Sequence, residues 1–537
     1  MRTISFVQNF SLVLAFLLIF SGTNISPAIS FNLPITEDNA WTQHVNSTRM
    51  FADIQTLASD QYKGRYPGTE GEELTLEYIN NQLMKLDVSI LTDRNDFKQL
   101  FPIKHWTMPI APINVTINGK TLILNKDYVE LSYTGNSSIL TPTEIVFVGY
   151  GITTANYDDY KDIDVTDKIV LVCRGVPEGL GLRREYGYFG VKAKTAFSNG
   201  AGGFIVVVHP NTNTDKFIKG TITPDNFIPE MGSISANRSV LDQLGLNVTQ
   251  RINELDSFLS GKTSYSGSKS RATGIFATFE VTTLYQRNVE AANIIAKYRG
   301  SSEDTIIVSA HHDHIGETPL GEIFYGADDD ASGCAVTLEV ARVLNELLKQ
   351  YRFRKNIIIA LWGAEEIGLI GSRYYANNPL IPLRQINLVL QLDMVGIGPI
   401  DGYLQVNGGQ YLPSAMLEDI RRAAQKYGNI NSIEVGDVSS DHLAFLERNV
   451  RAVNFFWDAL ENHPNIHTTQ DTADLINPEI LEKVALTTLG YIIEFQELLE
   501  DLPETSELIT VSQQLVITSL LLIGVIWNQR KNSKKIN

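Results

Sequence analysis

The 537-residue chain predicts an α/β fold: a mostly parallel central sheet flanked by helices, with a β-rich segment inserted into it. Three observations carry that prediction. Apolar runs of strand length occur at Thr305-Ile-Ile-Val-Ser-Ala310, at Ile357 to Trp362 and at Ile386 to Leu392, with a helical pattern from Ala335 to about Lys349 after the first. Strands alternating with helices argue a parallel sheet covered on both faces. Each run also feeds polar residues that can bind a ligand: His311-His-Asp-His314, Glu365-Glu366 and Asp393. In open α/β sheets, ligands bind at the carboxyl ends of parallel strands. Finally, residues 130–272 change texture, with short runs such as Lys168-Ile-Val-Leu-Val-Cys173 and Gly203-Phe-Ile-Val-Val-Val208 between Gly, Asp and Asn turns.

In chain order, residues 1–30 read as a signal peptide. Met1-Arg2 precedes an apolar run from Phe10 to Phe20, and Ala28-Ile-Ser30 offers small residues for cleavage. Export is the expectation, to the periplasm, the cell surface or the medium. Residues 48–86 read as helix, turn, helix, broken at Arg65-Tyr-Pro-Gly-Thr-Glu-Gly71. That turn is either a loop near a cleft or a plain helix connection. Cys173 and Cys334 are the two cysteines, and they read as buried free thiols, not a disulfide framework. At 43% hydrophobic and 20% charged, the chain has the composition of a globular protein with a sizeable core. A net charge of −17 argues against nucleic acid as a partner.

The densest chemistry lies between Thr305 and Asp393, with an outlier at His467 in Ile466-His-Thr-Thr-Gln-Asp-Thr472. Gly326-Ala-Asp-Asp-Asp-Ala-Ser-Gly333 places three consecutive carboxylates between small residues. Imidazole and carboxylate gathered at strand ends form a zinc-type donor set, and one carboxylate can bridge two ions. Any one of these acids could be a solvated loop charge. As a set delivered by apolar strands, they would be costly to bury without a cation.

The ordered motifs His-x-Asp, Gly-Ala-Asp-Asp-Asp-Ala-Ser-Gly, Ala-Glu-Glu-x-Gly, Leu-Asp-Met and His-Thr-Thr-Gln-Asp-Thr resemble those of the co-catalytic di-zinc aminopeptidases, the aminopeptidase Y-like metallopeptidases. The resemblance covers most of residues 36–500. It implies the zinc exopeptidase fold for residues 31–129 and 273–500. It also implies two Zn²⁺ per chain, one held by His311 and Asp393, the other by Glu366 and His467, with Asp329 bridging. Glu365 would be the general base, Asp313 and Asp471 would fix the imidazoles of His311 and His467, and the Asp329–Asp330 peptide would be cis. Residues 130–272 resemble the protease-associated (PA) domain, through Lys-Ile-Val-Leu-Val-x-Arg-Gly and Lys-x-x-x-Ala-x-x-x-Gly-Ala. That module reads as a lid or substrate restrictor, or as a spacer. Substrates would be peptides shortened from the amino end.

Met394, beside Asp393, is a candidate pocket residue, as are Phe455 and Phe456, although an aromatic strand also reads as core. His442, in Ser439-Ser-Asp-His442, reads as a supporting residue. At the carboxyl end, residues 508–527 are a candidate transmembrane anchor and residues 528–537 a basic tail that would stay in the cytoplasm. A carboxypeptidase or dipeptidase of the same superfamily would keep every ligand. A glutaminyl cyclase relative would use one zinc, and a non-catalytic receptor would have lost ligands.

Overall fold

Four parallel strands form the centre of the larger sheet: Asn356–Trp362, Thr305–His311, Ile386–Leu392 and Ala452–Trp457, side by side in that order. They are buried almost throughout, as strands covered on both faces must be. The sheet turns antiparallel outside this centre. Thr283–Tyr298 pairs with Asn356–Trp362 on one side, and Leu404–Asn407 pairs with Ala452–Trp457 on the other. Register explains why the polar motifs converge. His311 lies opposite Trp362, and Leu392 lies opposite Phe455, so His311, Glu365-Glu366 and Asp393 leave the sheet at one edge.

The computed structural model describes residues 39–501, apart from 112, 132–133, 213–214, 216–225 and 262–270. The expected signal segment (1–30), the apolar run 508–527 and the basic tail 528–537 lie outside the described residues. Among the described residues, no helix is long and apolar enough to cross a membrane. Both sheets and the helices on them belong to one compact unit that begins at Trp41.

Helix Gly333–Leu347 follows the three-aspartate loop and is buried along most of its length. Ser47–Leu57 and Glu70–Leu83 form the expected helix pair, the first capped by the Asn46 side chain on the Arg49 N–H. Between them, Lys63, Gly64 and Arg65 all adopt positive φ. Gly64 is required there: a Cβ would stand 2.3 Å from the Gly316 carbonyl oxygen and 2.5 Å from that of Phe324.

The second sheet has eight strands, four of them parallel: Ser137–Phe147, Ile169–Cys173, Gly203–Val207 and Gly232–Ala236. It is wider in sequence than the expected 130–272. Asn114–Ile117 and Arg271–Val281 pair with each other in this sheet, so the inserted module begins earlier and ends later than composition suggested. The strands Lys98–Pro109 and Thr283–Tyr298 form a long antiparallel ribbon between the modules. Cys173 and Cys334 are free and buried, one in each module.

Candidate metal centre

The structure brings His311, Asp329, Glu366, Asp393 and His467 together. Four are buried, with His311 1%, Asp329 4%, Glu366 6% and Asp393 6% exposed, while the His467 side chain keeps 23% exposure and marks the open side. His311 Nε2 stands 3.3 Å from Asp329 Oδ1 and 3.6 Å from Asp393 Oδ1. On the other flank, His467 Nε2 stands 3.1 Å from Asp329 Oδ2 and 3.1 Å from Glu366 Oε2. Asp329 therefore turns one oxygen to each histidine. Its peptide bond to Asp330 is cis.

The two His311 separations exceed direct pairing, and the two of His467 lie at its upper edge. A charged N–H···O⁻ bond closes to about 2.7–2.9 Å. Zinc with arms of about 2.0–2.2 Å in a tetrahedron sets its ligand atoms about 3.3–3.6 Å apart. The electrostatics agree. Burial alone would push His311 and His467 down, yet Asp329 with Asp393, and Glu366 with Asp329, pull the two imidazoles well above their ordinary range. Against its own burial, Asp329 is held well below its ordinary value by His311 and His467. A dry pocket of carboxylates needs positive charge, and the donor set of imidazole nitrogen and carboxylate oxygen suits Zn²⁺.

Neighbouring acids hold the backbone of the ligand loops. The Asp313 carboxylate accepts from the Glu365 N–H at 2.9 Å and the Glu366 N–H at 3.2 Å. That differs from its expected task, for it stands 3.9 Å from His311 Nδ1, which instead faces the Asp313 main-chain carbonyl at 3.2 Å. Asp471 likewise accepts from the Asp328 N–H at 2.9 Å and the Asp329 N–H at 3.1 Å, so it orients the middle aspartate, where His467 was expected. Asp330 accepts from the N–H groups of His311, Gly333 and Met394, leaving its oxygens committed to main chain. Asp328 accepts from the Gly396 N–H at 2.7 Å and pairs with His463 Nδ1 at 2.8 Å.

His314, to which the sequence assigned no role, stands 2.7 Å from Glu366 and 3.9 Å from Asp329 through Nδ1, and the three together form a group that could hold a metal ion. The signal for these helpers was present in the sequence as surplus acids and histidines around each ligand. Which atom each one reaches depends on loop backbone that a linear pattern does not encode.

Glu365 is half-buried, and its carboxylate makes no hydrogen bond or ion pair among the described residues. Burial, with Glu366, Asp441 and Asp393 adding to it against the pull of His311, raises its carboxyl well above the ordinary range. The pocket expectation fails for Phe455 and Phe456. Both are 0% exposed in a strand covered on both faces, and the Phe456 ring packs 4.8 Å from that of His463. Met394 adjoins Asp393 but is 4% exposed, so it offers little surface. Buried His442 is pushed down to about 4 by desolvation, which keeps it neutral.

A model of peptidase family M28 matches residues 293–492, and a PA domain model matches residues 140–238. The chain is 30% identical over 298 residues to leucine aminopeptidase 1 of Paracoccidioides brasiliensis (strain Pb18), spanning 50% of this chain and 76% of that relative. The chain belongs to peptidase family M28. The chain is also 33% identical over 187 residues to aminopeptidase YwaD of Bacillus subtilis (strain 168), a match to 34% of this chain but only 38% of that protein. Among solved structures, the aminopeptidase from Aneurinibacillus sp. strain AM-1 superposes with a TM-score of 0.61 at 25% identity, covering 86% of this chain and 97% of that one. The fold class of this M28 peptidase, α/β with a PA domain inserted, is the one the sequence predicted.

Proposed function

We propose that this chain is an exported aminopeptidase that removes amino-terminal residues from peptides at a two-zinc centre. The observation that carries the reading is Asp329, with Oδ1 facing His311 and Oδ2 facing His467. His311 and Asp393 would hold one ion, Glu366 and His467 the other, and Asp329 both. Bound there, zinc would supply Lewis acidity and lower the pKa of water towards about 7.

Glu365 is the group free to move a proton. Its N–H is fixed by Asp313, while its side chain is uncommitted beside the ligands. It would accept the proton of the attacking water and return it to the leaving amine. Burial raises Glu365, and positive charge held by the neighbouring carboxylates would oppose that and favour its base form. The Arg184 guanidinium of the PA domain approaches the Asp437 carboxylate to 3.9 Å, four residues before Asp441.

The test is a set of aminoacyl chromogenic substrates beside amino-blocked and carboxy-blocked peptides, each with and without chelator. Cleavage that needs a free amino group, and that chelator abolishes, supports the proposal. Cleavage that needs a free carboxyl group instead would make the chain a carboxypeptidase. Export and the anchor at 508–527 rest on sequence, and partition of the full-length protein after a carbonate wash tests the anchor. Recovery in the soluble fraction would refute it.

A further inference from the structure

Arg65 is 1% exposed, yet none of its hydrogen bonds goes to a carboxylate. Nε donates to the His312 carbonyl at 3.0 Å. One terminal nitrogen donates to Leu57 at 2.8 Å and Tyr325 at 2.7 Å, the other to Gly326 at 2.8 Å and Asp329 at 3.5 Å. A guanidinium has five N–H donors, and here five main-chain carbonyls meet them. Two of the segments reached carry candidate ligands: the His311–His314 strand end and the Gly326–Asp329 loop. The Arg65 carbonyl also accepts from the His314 N–H at 3.3 Å, and Gly64 accepts from Gly316 at 2.9 Å, so the turn joins this loop through its backbone as well.

The turn itself is anchored. Trp106 Nε1 donates to the Pro67 carbonyl at 2.6 Å, and the Gly68 N–H donates to the buried Glu72 carboxylate at 2.6 Å. Burying a guanidinium without a carboxylate partner is costly. Burial lowers the guanidinium, and Asp471, Asp329 and Asp313 of the centre oppose that only in part.

We propose that Arg65 is a positioning residue for the metal centre, fixing the spacing between the loop of His311 and the loop of Asp329 through main-chain hydrogen bonds. The inference rests on the two-zinc reading and adds to it a residue far outside the ligand motifs. Lysine keeps the charge but has three donors and no fork. Alanine loses charge and donors and takes a partner from each of the five carbonyls, of which Gly326 keeps the Ala331 N–H, and it opens a cavity that fits free guanidinium.

The experiment compares full-length wild type, Arg65→Lys and Arg65→Ala. Zinc affinity is read by competition with a chromogenic chelator, and melting is read with and without zinc. Loss of partners that orient metal ligands typically costs 10–100-fold in metal affinity. Arg65→Lys should weaken at least one zinc about 10-fold or more and shrink the zinc-induced rise in Tm. Arg65→Ala should weaken it further, with partial recovery on adding guanidinium at concentrations that do not denature. A merely structural role would lower the metal-free Tm and leave zinc affinity and the zinc-induced rise unchanged, and that result overturns the proposal. If Arg65→Ala does not fold, Arg65→Lys decides alone, and wild-type zinc affinity in it refutes positioning. Wild type that fails to bind two zinc ions would instead refute the two-zinc reading itself.

Discussion

Replacing Asp313 with Asn separates two accounts of how the metal centre is held. Asp313 is fully buried, and its oxygens accept from Glu365 at 2.9 Å and Glu366 at 3.2 Å. Asn keeps the shape but offers one acceptor oxygen and an NH₂ group, so one of the two backbone donors must face another donor. Losing a hydrogen bond to a charged acceptor costs about 1.5–3 kcal/mol, and a stranded buried donor about 1–3 kcal/mol more. The Glu365–Glu366 turn should therefore loosen by about 2.5–6 kcal/mol. The main-chain carbonyl facing His311 is untouched by the change. Asp313→Asn should thus weaken the ion between Glu366 and His467 and lower kcat, leaving the ion between His311 and Asp393 near full occupancy. Anomalous scattering from crystals grown at limiting zinc reads each site separately. Loss of the His311–Asp393 ion with the other retained would refute this, and would restore the expectation that the Asp313 carboxylate serves the imidazole.

Glu365→Gln should keep both zinc ions and lower kcat by about 10²–10⁴-fold with little change in KM, since general-base catalysis is worth about that much. Glu366→Gln should weaken one zinc, with partial rescue by excess metal. Metal analysis beside kinetics checks both, and the opposite assignment of losses would reverse the two roles. In the PA domain, Lys192 is fully buried, donates to the Tyr150 carbonyl and lies 5.7 Å over the Tyr150 ring. Burial pushes Lys192 down to about 8 against the pull of Cys173 and Asp159, and burial raises Asp159 to about 7. Lys192→Met would leave the buried Tyr150 carbonyl without its donor and should destabilise the domain by about 1–3 kcal/mol. Denaturant unfolding measures this, and a variant as stable as the parent would contradict it.

The parallel centre of the fold was legible because buried parallel strands are written as unbroken apolar runs, and the candidate ligands were legible because each stands where a run stops. Pairing was harder to read. Arg271–Val281 is followed at once by Thr283–Tyr298, yet the two lie in different sheets, which no local pattern signals. Phe455 and Phe456 were ambiguous for a related reason. A central strand buries both of its faces, so alternation could not tell a pocket wall from core. Asp313 and Asp471 were assigned to side chains because spacing suggests neighbours, whereas their carboxylates meet backbone N–H groups. Arg65 read as either a cleft loop or a helix connection because its five acceptors are main-chain carbonyls, and main chain leaves no mark in sequence.

The central claim is that Asp329 joins two zinc ions, and counting metal in Asp329→Asn tests it most directly. Its two oxygens face His311 at 3.3 Å and His467 at 3.1 Å, so an amide, which has one ligand oxygen and a nitrogen that does not bind zinc, can serve only one side. Wild type should hold two zinc ions per chain after dialysis against zinc-free buffer, and Asp329→Asn one or fewer. Two ions at full occupancy in Asp329→Asn would contradict the bridge.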